Sequence, residues 1–541
     1  VFVYLCFTMS YIKSLILYLL HEVRSRDLFI FIAILAIYKL ISELNQIRKL
    51  PPGPWGVPFL GYLPFMTSDR HLQFSDLAKK YGGLFSTKVG NQLIVIISDY
   101  KLIRETFRKE EYTGRPRDQL TNIIEGYGVI NCDGRLWKNQ RKFLHSHLRS
   151  FGMTCMGKGK QNMQLRIMRE VNVFLRNLCR SEGNPLDLNS PLALSASNVI
   201  CSIIMNIRFH LNDPRFQRYT HLIEEGFKLF GGVMQYVNFI PILGYLPGQQ
   251  KTKQKIEANR AEMAQFFEEI VQEHRKTFDN GNIRDVVDAY LQEIEVAEEE
   301  GRTDELFEGK DHNRQMHQII GDLFTAGMET VKTTLQWAVV FMLHHPEIAK
   351  QVQEELDQVV GRHRLPNLQD LPFLPFTEST LLEVLRRSSI VPLGTPHAVT
   401  RDVQLNGYTI PKDTQVVPLL HAVHMDPDLW ESPEKFMPTR FLNSEGKVTK
   451  PEYFLPFGVG RRMCLGEVLA KMEIFLYFTS LLHVFDISVP EGKELPNLKG
   501  FSGVTITPES FEVCLTQRPL ENRDFEFMSD EPSHFRSTGS H

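Results

Sequence analysis

Along most of this 541-residue chain, apolar residues recur at the i, i+3, i+4 spacing of a helix face, and only a few short stretches alternate. Met263, Phe266, Phe267, Ile270 and Val271 form such a stripe and predict an amphipathic helix over about residues 252–278. A longer helical pattern runs from His312 to His345 and stops before Pro346. Pro346 suits the first turn of a second helix, which Gly361 closes. A third covers roughly Leu374 to Ser388, and the apolar run after Cys464 reads as another. Strand signals are sparse. Leu84 to Ser98 reads as a hairpin around Gly90-Asn91, and Val403 to Ile410 and Gln415 to Leu419 as short strands. The acidic stretch Glu293 to Asp311 reads as a solvated loop. The pattern predicts a mainly α body with small β-sheets at one side.

The ends of the chain differ from its middle. Ser14 to Leu20 and Leu28 to Ile41 are apolar runs. The second is shorter than the roughly 20 residues a free-standing span needs. Arg48 and Lys49 follow it, as they would on a cytoplasmic flank, and Leu50-Pro51-Pro52-Gly53-Pro54 makes a stiff linker. Residues 1–49 are therefore expected to form a membrane anchor, 50–520 a catalytic domain and 521–541 a disordered tail. Hydrophobic content of 43% supplies a sizeable core, and a net charge of −3 gives no reason to expect nucleic acid. The seven cysteines are odd in number and widely spaced, with no C-x-x-C. That argues against a disulfide framework and for a reducing compartment. The pairs His145/His147, His344/His345 and His421/His424 lack the carboxylate spacing of a metal site.

One segment carries most of the chemistry. Phe457-Gly458-Val459-Gly460-Arg461-Arg462-Met463-Cys464-Leu465-Gly466 spells F-x-x-G-x-R-x-C-x-G. A haem iron held by the Cys464 thiolate explains it, since that ligand pushes electron density toward the metal. Gly460 and Gly466 remove side chains where backbone turns or approaches a flat macrocycle. Arg462 can face a haem propionate, and Phe457 can shield the sulfur from water. A helix starting after Cys464 favours the thiolate at its N-terminus. The long helix adds Ala326-Gly327-Met328-Glu329-Thr330. Glycine inside a soluble helix costs about 1 kcal/mol, so the small pair Ala326 and Gly327 is expected to admit a flat cofactor and a diatomic ligand. The Thr330 hydroxyl can bond a carbonyl one turn back and leave a groove. Glu329 and Thr330 are the candidate catalytic pair, relaying protons to bound oxygen.

With these motifs the chain resembles the cytochrome P450 monooxygenases over about residues 50–520. The resemblance implies that fold, with haem b (iron protoporphyrin IX) between the long helix and the Cys464 loop. It implies a structural triad of Glu383, Arg386 and Arg440, and propionate contacts from Trp137, Arg141 and His397. Many relatives place one more basic propionate partner shortly before the tryptophan; Glu125 departs from that pattern. The implied reaction inserts one atom of O2 into a C–H bond of a hydrophobic substrate. Its pocket would draw on Arg117–Asn131, Phe227–Tyr236, Ile320–Gly327, Val391–Thr395 and Phe501–Thr505. NADPH would act only indirectly, through an NADPH–cytochrome P450 reductase, with cytochrome b5 as a further partner. Arg135, Lys138, Lys142, Arg461 and Lys471 could form the docking face. The implied place is the endoplasmic reticulum membrane, with the catalytic domain facing the cytoplasm and contacting lipid. The stretches Leu50 to Pro58, Phe151 to Thr154, Arg386 to Leu393 and Pro451 to Phe457 resemble the insect ecdysteroid 26-hydroxylases of that family. They imply an ecdysteroid hormone as the substrate and its inactivation as the outcome. Two alternatives stay open: a haem-thiolate isomerase or dehydratase that needs no reductase, and a non-catalytic haem or hydrophobe carrier. Neither requires an acid–alcohol pair.

Overall fold

The computed structural model describes residues 45–519, apart from Cys155 and residues 232–233, together with scattered positions between 30 and 41. The expected tail and most of the expected anchor lie outside the described residues. Among those described, no helix is long and apolar enough to cross a membrane.

The axis of the body is a 33-residue helix, His312–His344. Asp311 caps it by accepting from the Arg314 amide, and Pro346 forbids its extension. Pro346–Val359 and Pro375–Ser388 follow as read, each with proline in its first turn. The axial helix packs against Asn189–Ile204, Glu467–Val484 and Pro375–Ser388. Glu467–Val484 is apolar nearly all round, which marks an interior helix. The largest hydrophobic cluster gathers here, including Ile319, Phe324, Trp337, Leu476 and Phe478.

A four-stranded sheet lies to one side, in the order Leu84–Val89, Gln92–Ile97, Gln415–Pro418, His397–Ala398. The first two strands form the expected hairpin, with Val89 opposite Gln92. Gly90 has φ +57°, and a Cβ there would lie 2.0 Å from the Phe239 carbonyl oxygen, so glycine is required.

Four readings need correction. Val403 to Ile410 is a hairpin of Val403–Leu405 with Tyr408–Ile410, turning at Asn406-Gly407. The helix read over residues 252–278 spans Pro247–Thr277, because Pro247 itself opens its first turn. The acidic stretch is largely helical, in Val286–Glu299 and Thr303–Phe307. Buried Ile294, Ala297 and Phe307 hold it to the body, a tertiary override of its polar composition. Finally, a three-stranded sheet of Leu186–Asp187, Glu512–Gln517 and Phe485–Ser488 was invisible in the pattern, its strands being two to six residues long and far apart in sequence.

Candidate active site

The Cys464 loop is fastened at several points. Gly460 has φ +85°, and a Cβ there would sit 2.1 Å from the Phe107 carbonyl oxygen. Its smallness thus serves loop-to-loop contact, and the Arg461 amide donates to the same carbonyl at 3.1 Å. The Cys464 amide donates to the Phe457 carbonyl at 3.0 Å, and Gly466 caps the helix Glu467–Val484. Phe457 lies half-buried beside the loop, its ring 5.2 Å from Lys471 Nζ. The Cys464 side chain is exposed in the chain alone, yet burial raises its thiol pKa. The sulfur therefore opens onto a recess walled by protein rather than onto bulk water. The Gly466 amide, Arg141 and Lys471 oppose that shift without cancelling it. A metal ion would complete the deprotonation.

Beside the loop gathers positive charge that the sequence only partly announced. Arg462 is buried and donates to the carbonyls of Thr113 at 2.7 Å and Cys132 at 2.6 Å, with its guanidinium 4.1 Å from the Trp137 ring. Arg115, also buried, donates to Ile130 and Pro396 carbonyls, each at 2.7 Å. Half-buried Arg141 donates to the Met463 carbonyl at 2.5 Å, clamping the cysteine loop from the helix Gly134–Ser150. Burial, with the neighbouring guanidiniums, depresses Arg115 to about 10 and Arg462 to about 8. Among the described residues none of the three arginines forms an ion pair. Uncompensated buried charge is costly, so the cluster calls for an anionic partner. A Cβ on Gly458 or Gly466 would meet nothing within 4 Å, so there is space beside the loop as well. An open thiol, free space and unpaired cations together fit an iron porphyrin with two propionates.

Arg115 is the residue that sequence reasoning missed. It sits in Gly114-Arg115-Pro116, a loop with no periodicity to mark it. Gly114 lets the chain pass close to Ala398, where a Cβ would stand 2.7 Å from the carbonyl oxygen, and so brings Arg115 beside Pro396. Glu125, the residue that broke the family pattern, turns outward and pairs with Arg314 at 2.9 Å. Asp322 was missed too. Its buried carboxylate accepts from the Val129 and Ile130 amides at 2.8 and 2.9 Å, tying the loop whose Ile130 carbonyl holds Arg115 to the long helix. His397 lies in the same region, with no hydrogen-bond partner on its Nε2 among the described residues. Its Nδ1 donates to the Tyr112 carbonyl at 2.7 Å, and burial with Arg115 nearby holds its pKa down at about 3.

On the long helix the two small residues divide their tasks. Ala326 is exposed although neighbouring Phe324 and Met328 are buried, so this turn faces open space. Gly327 instead faces the helix Asn189–Ile204, where an added Cβ would come within 3.0 Å of Ile200 Cγ1. Its expected cofactor contact is replaced by helix packing, because one residue along a helix turns the side chain by about 100°. The Thr330 hydroxyl donates to the Ala326 carbonyl at 2.9 Å, the back-bond expected of it. Glu329 is engaged elsewhere, with Lys332 at 2.7 Å and Thr333 at 3.2 Å.

Glu383 lies between Arg386 and Arg440, accepting from their Nε atoms at 2.7 and 3.0 Å and from the Met437 amide at 2.8 Å. All three side chains are buried. The candidate docking face carries less free charge than its sequence suggests. Arg135 pairs with Glu305, Lys138 with Glu110 and Lys471 with Glu467.

Comparison with known proteins agrees with this geometry. Residues 51–515 match the family described as Cytochrome P450. The chain is 56% identical to cytochrome P450 18a1 of Drosophila melanogaster over 95% of either chain. It is 35% identical to cytochrome P450 2U1 of Rattus norvegicus, over 87% of this chain and 91% of the relative. With cytochrome P450 2C8 of Homo sapiens it shares 34% identity over 89% of this chain and 97% of the relative.

Proposed function

The chain belongs to the cytochrome P450 family, and we propose that this haem b monooxygenase hydroxylates an ecdysteroid at position 26 and so inactivates the hormone. The observation that carries the chemistry is the Cys464 thiol, held open at a helix start beside cations that lack counter-charges. The substrate reading rests on the stretches quoted above and on the 56% identity to a fly relative. When bound, the haem supplies the redox chemistry that splits O2 and passes one oxygen atom into a C–H bond.

The chain's own residues do the rest. Cys464 supplies the ligand, with the Gly466 amide and Arg141 favouring its anionic form. Arg115, Arg141 and Arg462 would hold the propionates and balance their charge, with Trp137 packed against Arg462. Thr330 keeps its hydroxyl at the exposed Ala326 turn, where it would serve as the proton-donating alcohol on the haem side of the helix, with Glu329 as the acid that would resupply it. The electrons arrive from an NADPH–cytochrome P450 reductase, with cytochrome b5 as a second donor. In this reading the protein works at the endoplasmic reticulum membrane, with residues 1–49 as its anchor.

A carbon monoxide difference spectrum of the reduced protein tests the ligand. We expect the red-shifted Soret band of thiolate ligation and its loss in Cys464→Ala. NADPH consumption with reductase, with and without 20-hydroxyecdysone, tests the substrate. Consumption without a hydroxylated product would refute the ecdysteroid reading.

A further inference from the structure

Lysine is among the residues least often buried. Lys332 lies on the long helix with its side chain 9% exposed, and its Nζ is 2.7 Å from Glu329 Oε2. Glu329 is itself only 13% exposed, and its other oxygen accepts from Thr333 Oγ1 at 3.2 Å. Both partners stand C-terminal to Glu329, at i+3 and i+4, so the carboxylate is drawn toward the C-terminal end of the helix. Thr330 turns the other way, its hydroxyl bonded to Ala326 one turn toward the N-terminus. The acid and the alcohol, adjacent in sequence, thus lean apart along the axis. Val331, Thr333, Thr334 and Leu335 are buried around the pair. Lys332 has no other hydrogen-bond or ion-pair partner among the described residues. A lone ammonium or a lone carboxylate here would be strongly unfavourable, so each holds the other charged and in place.

We propose that Lys332 is a positioning residue for proton delivery. It keeps the Glu329 carboxylate charged and fixed beside Thr330 in the chain, from where the acid resupplies the alcohol; without Lys332 a buried carboxylate takes up a proton and loses that hold. This rests on the reading of Glu329 as the resupply group. Lys332 would then govern how tightly NADPH oxidation is coupled to product, a task distinct from binding haem or substrate.

The test uses the full-length holoprotein with reductase, in four forms: unaltered, Lys332→Met, Glu329→Gln and the double variant. The carbon monoxide spectrum of each form checks thiolate ligation. Product formed per NADPH in Lys332→Met is expected to fall by at least about tenfold, short of the ~100-fold that loss of a positioned acid or base can bring. Peroxide release should rise to match. The double variant should lose no more coupling than the worse single variant, since the two residues act as a unit. The thermal midpoint gives a readout that does not depend on turnover. It should fall in Lys332→Met and recover in the double variant, where no unpaired charge remains. Full coupling in Lys332→Met, or losses that multiply in the double variant, would overturn the proposal directly. Full coupling in Glu329→Gln would overturn it through its premise, leaving the monooxygenase assignment untouched.

Discussion

If the cations beside Cys464 await propionates, Arg115→Met should loosen haem without unfolding the chain. The drop of Arg115 from 12.5 to about 10 implies that keeping it charged in the chain alone costs on the order of 3 kcal/mol at neutral pH. The sign is that of a depressed base: the penalty is present below pH ~10 and fades as pH climbs toward 12.5. Replacing Arg115 removes that penalty but leaves the Pro396 carbonyl without its side-chain donor, at about 1–3 kcal/mol, and the Ile130 carbonyl with only the longer bond from Arg462 at 3.4 Å. The two effects nearly cancel, so the protein's own stability should change by no more than about 2 kcal/mol. With haem bound the balance would differ, because the propionates would lose one of their buried counter-charges. A loss of about 3 kcal/mol corresponds to a haem dissociation rate roughly a hundredfold faster. Transfer of haem from the holoprotein to excess apomyoglobin measures that rate directly. An unchanged rate would refute the assignment. So would a collapse in melting temperature like that of a core truncation, which would make Arg115 a structural tie only.

Two further substitutions probe the frame. Glu383→Gln leaves Arg386 and Arg440 buried without their anion and should cost about 3–5 kcal/mol, lowering the melting temperature and the haem content of purified protein. The matched change Glu262→Gln, at an exposed pair with Arg218, should leave the melting curve where it was; equal effects would contradict the buried-triad account. Gly327→Val should overpack Ile200 and destabilise by about 1–3 kcal/mol, with Ile200→Ala restoring stability. If Gly327→Val instead melts normally but blocks carbon monoxide binding, Gly327 faces the haem after all.

Local rules made much of this protein legible. Pro346 and the apolar period bounded the long helix to within a residue, and Gly90-Asn91 gave the hairpin its register. The spacing around Cys464 marked the proposed ligand loop, because that chemistry depends on neighbours within ten residues. Glu383 and Arg386, one turn apart, were readable as a pair. Other features depended on distant partners, and no periodicity encodes those. Arg115 acquires its meaning only when Arg462, some 350 positions later, is folded against the same carbonyl-lined loop. Gly327 reads as room for a ligand until helix packing turns it toward Ile200. Glu329 reads as a free acid until the interior closes over Lys332. In each case sequence supplied the side chain, while the direction it faces and the charge it meets came from tertiary packing, which alone sets local solvation and therefore the energy of every buried ion.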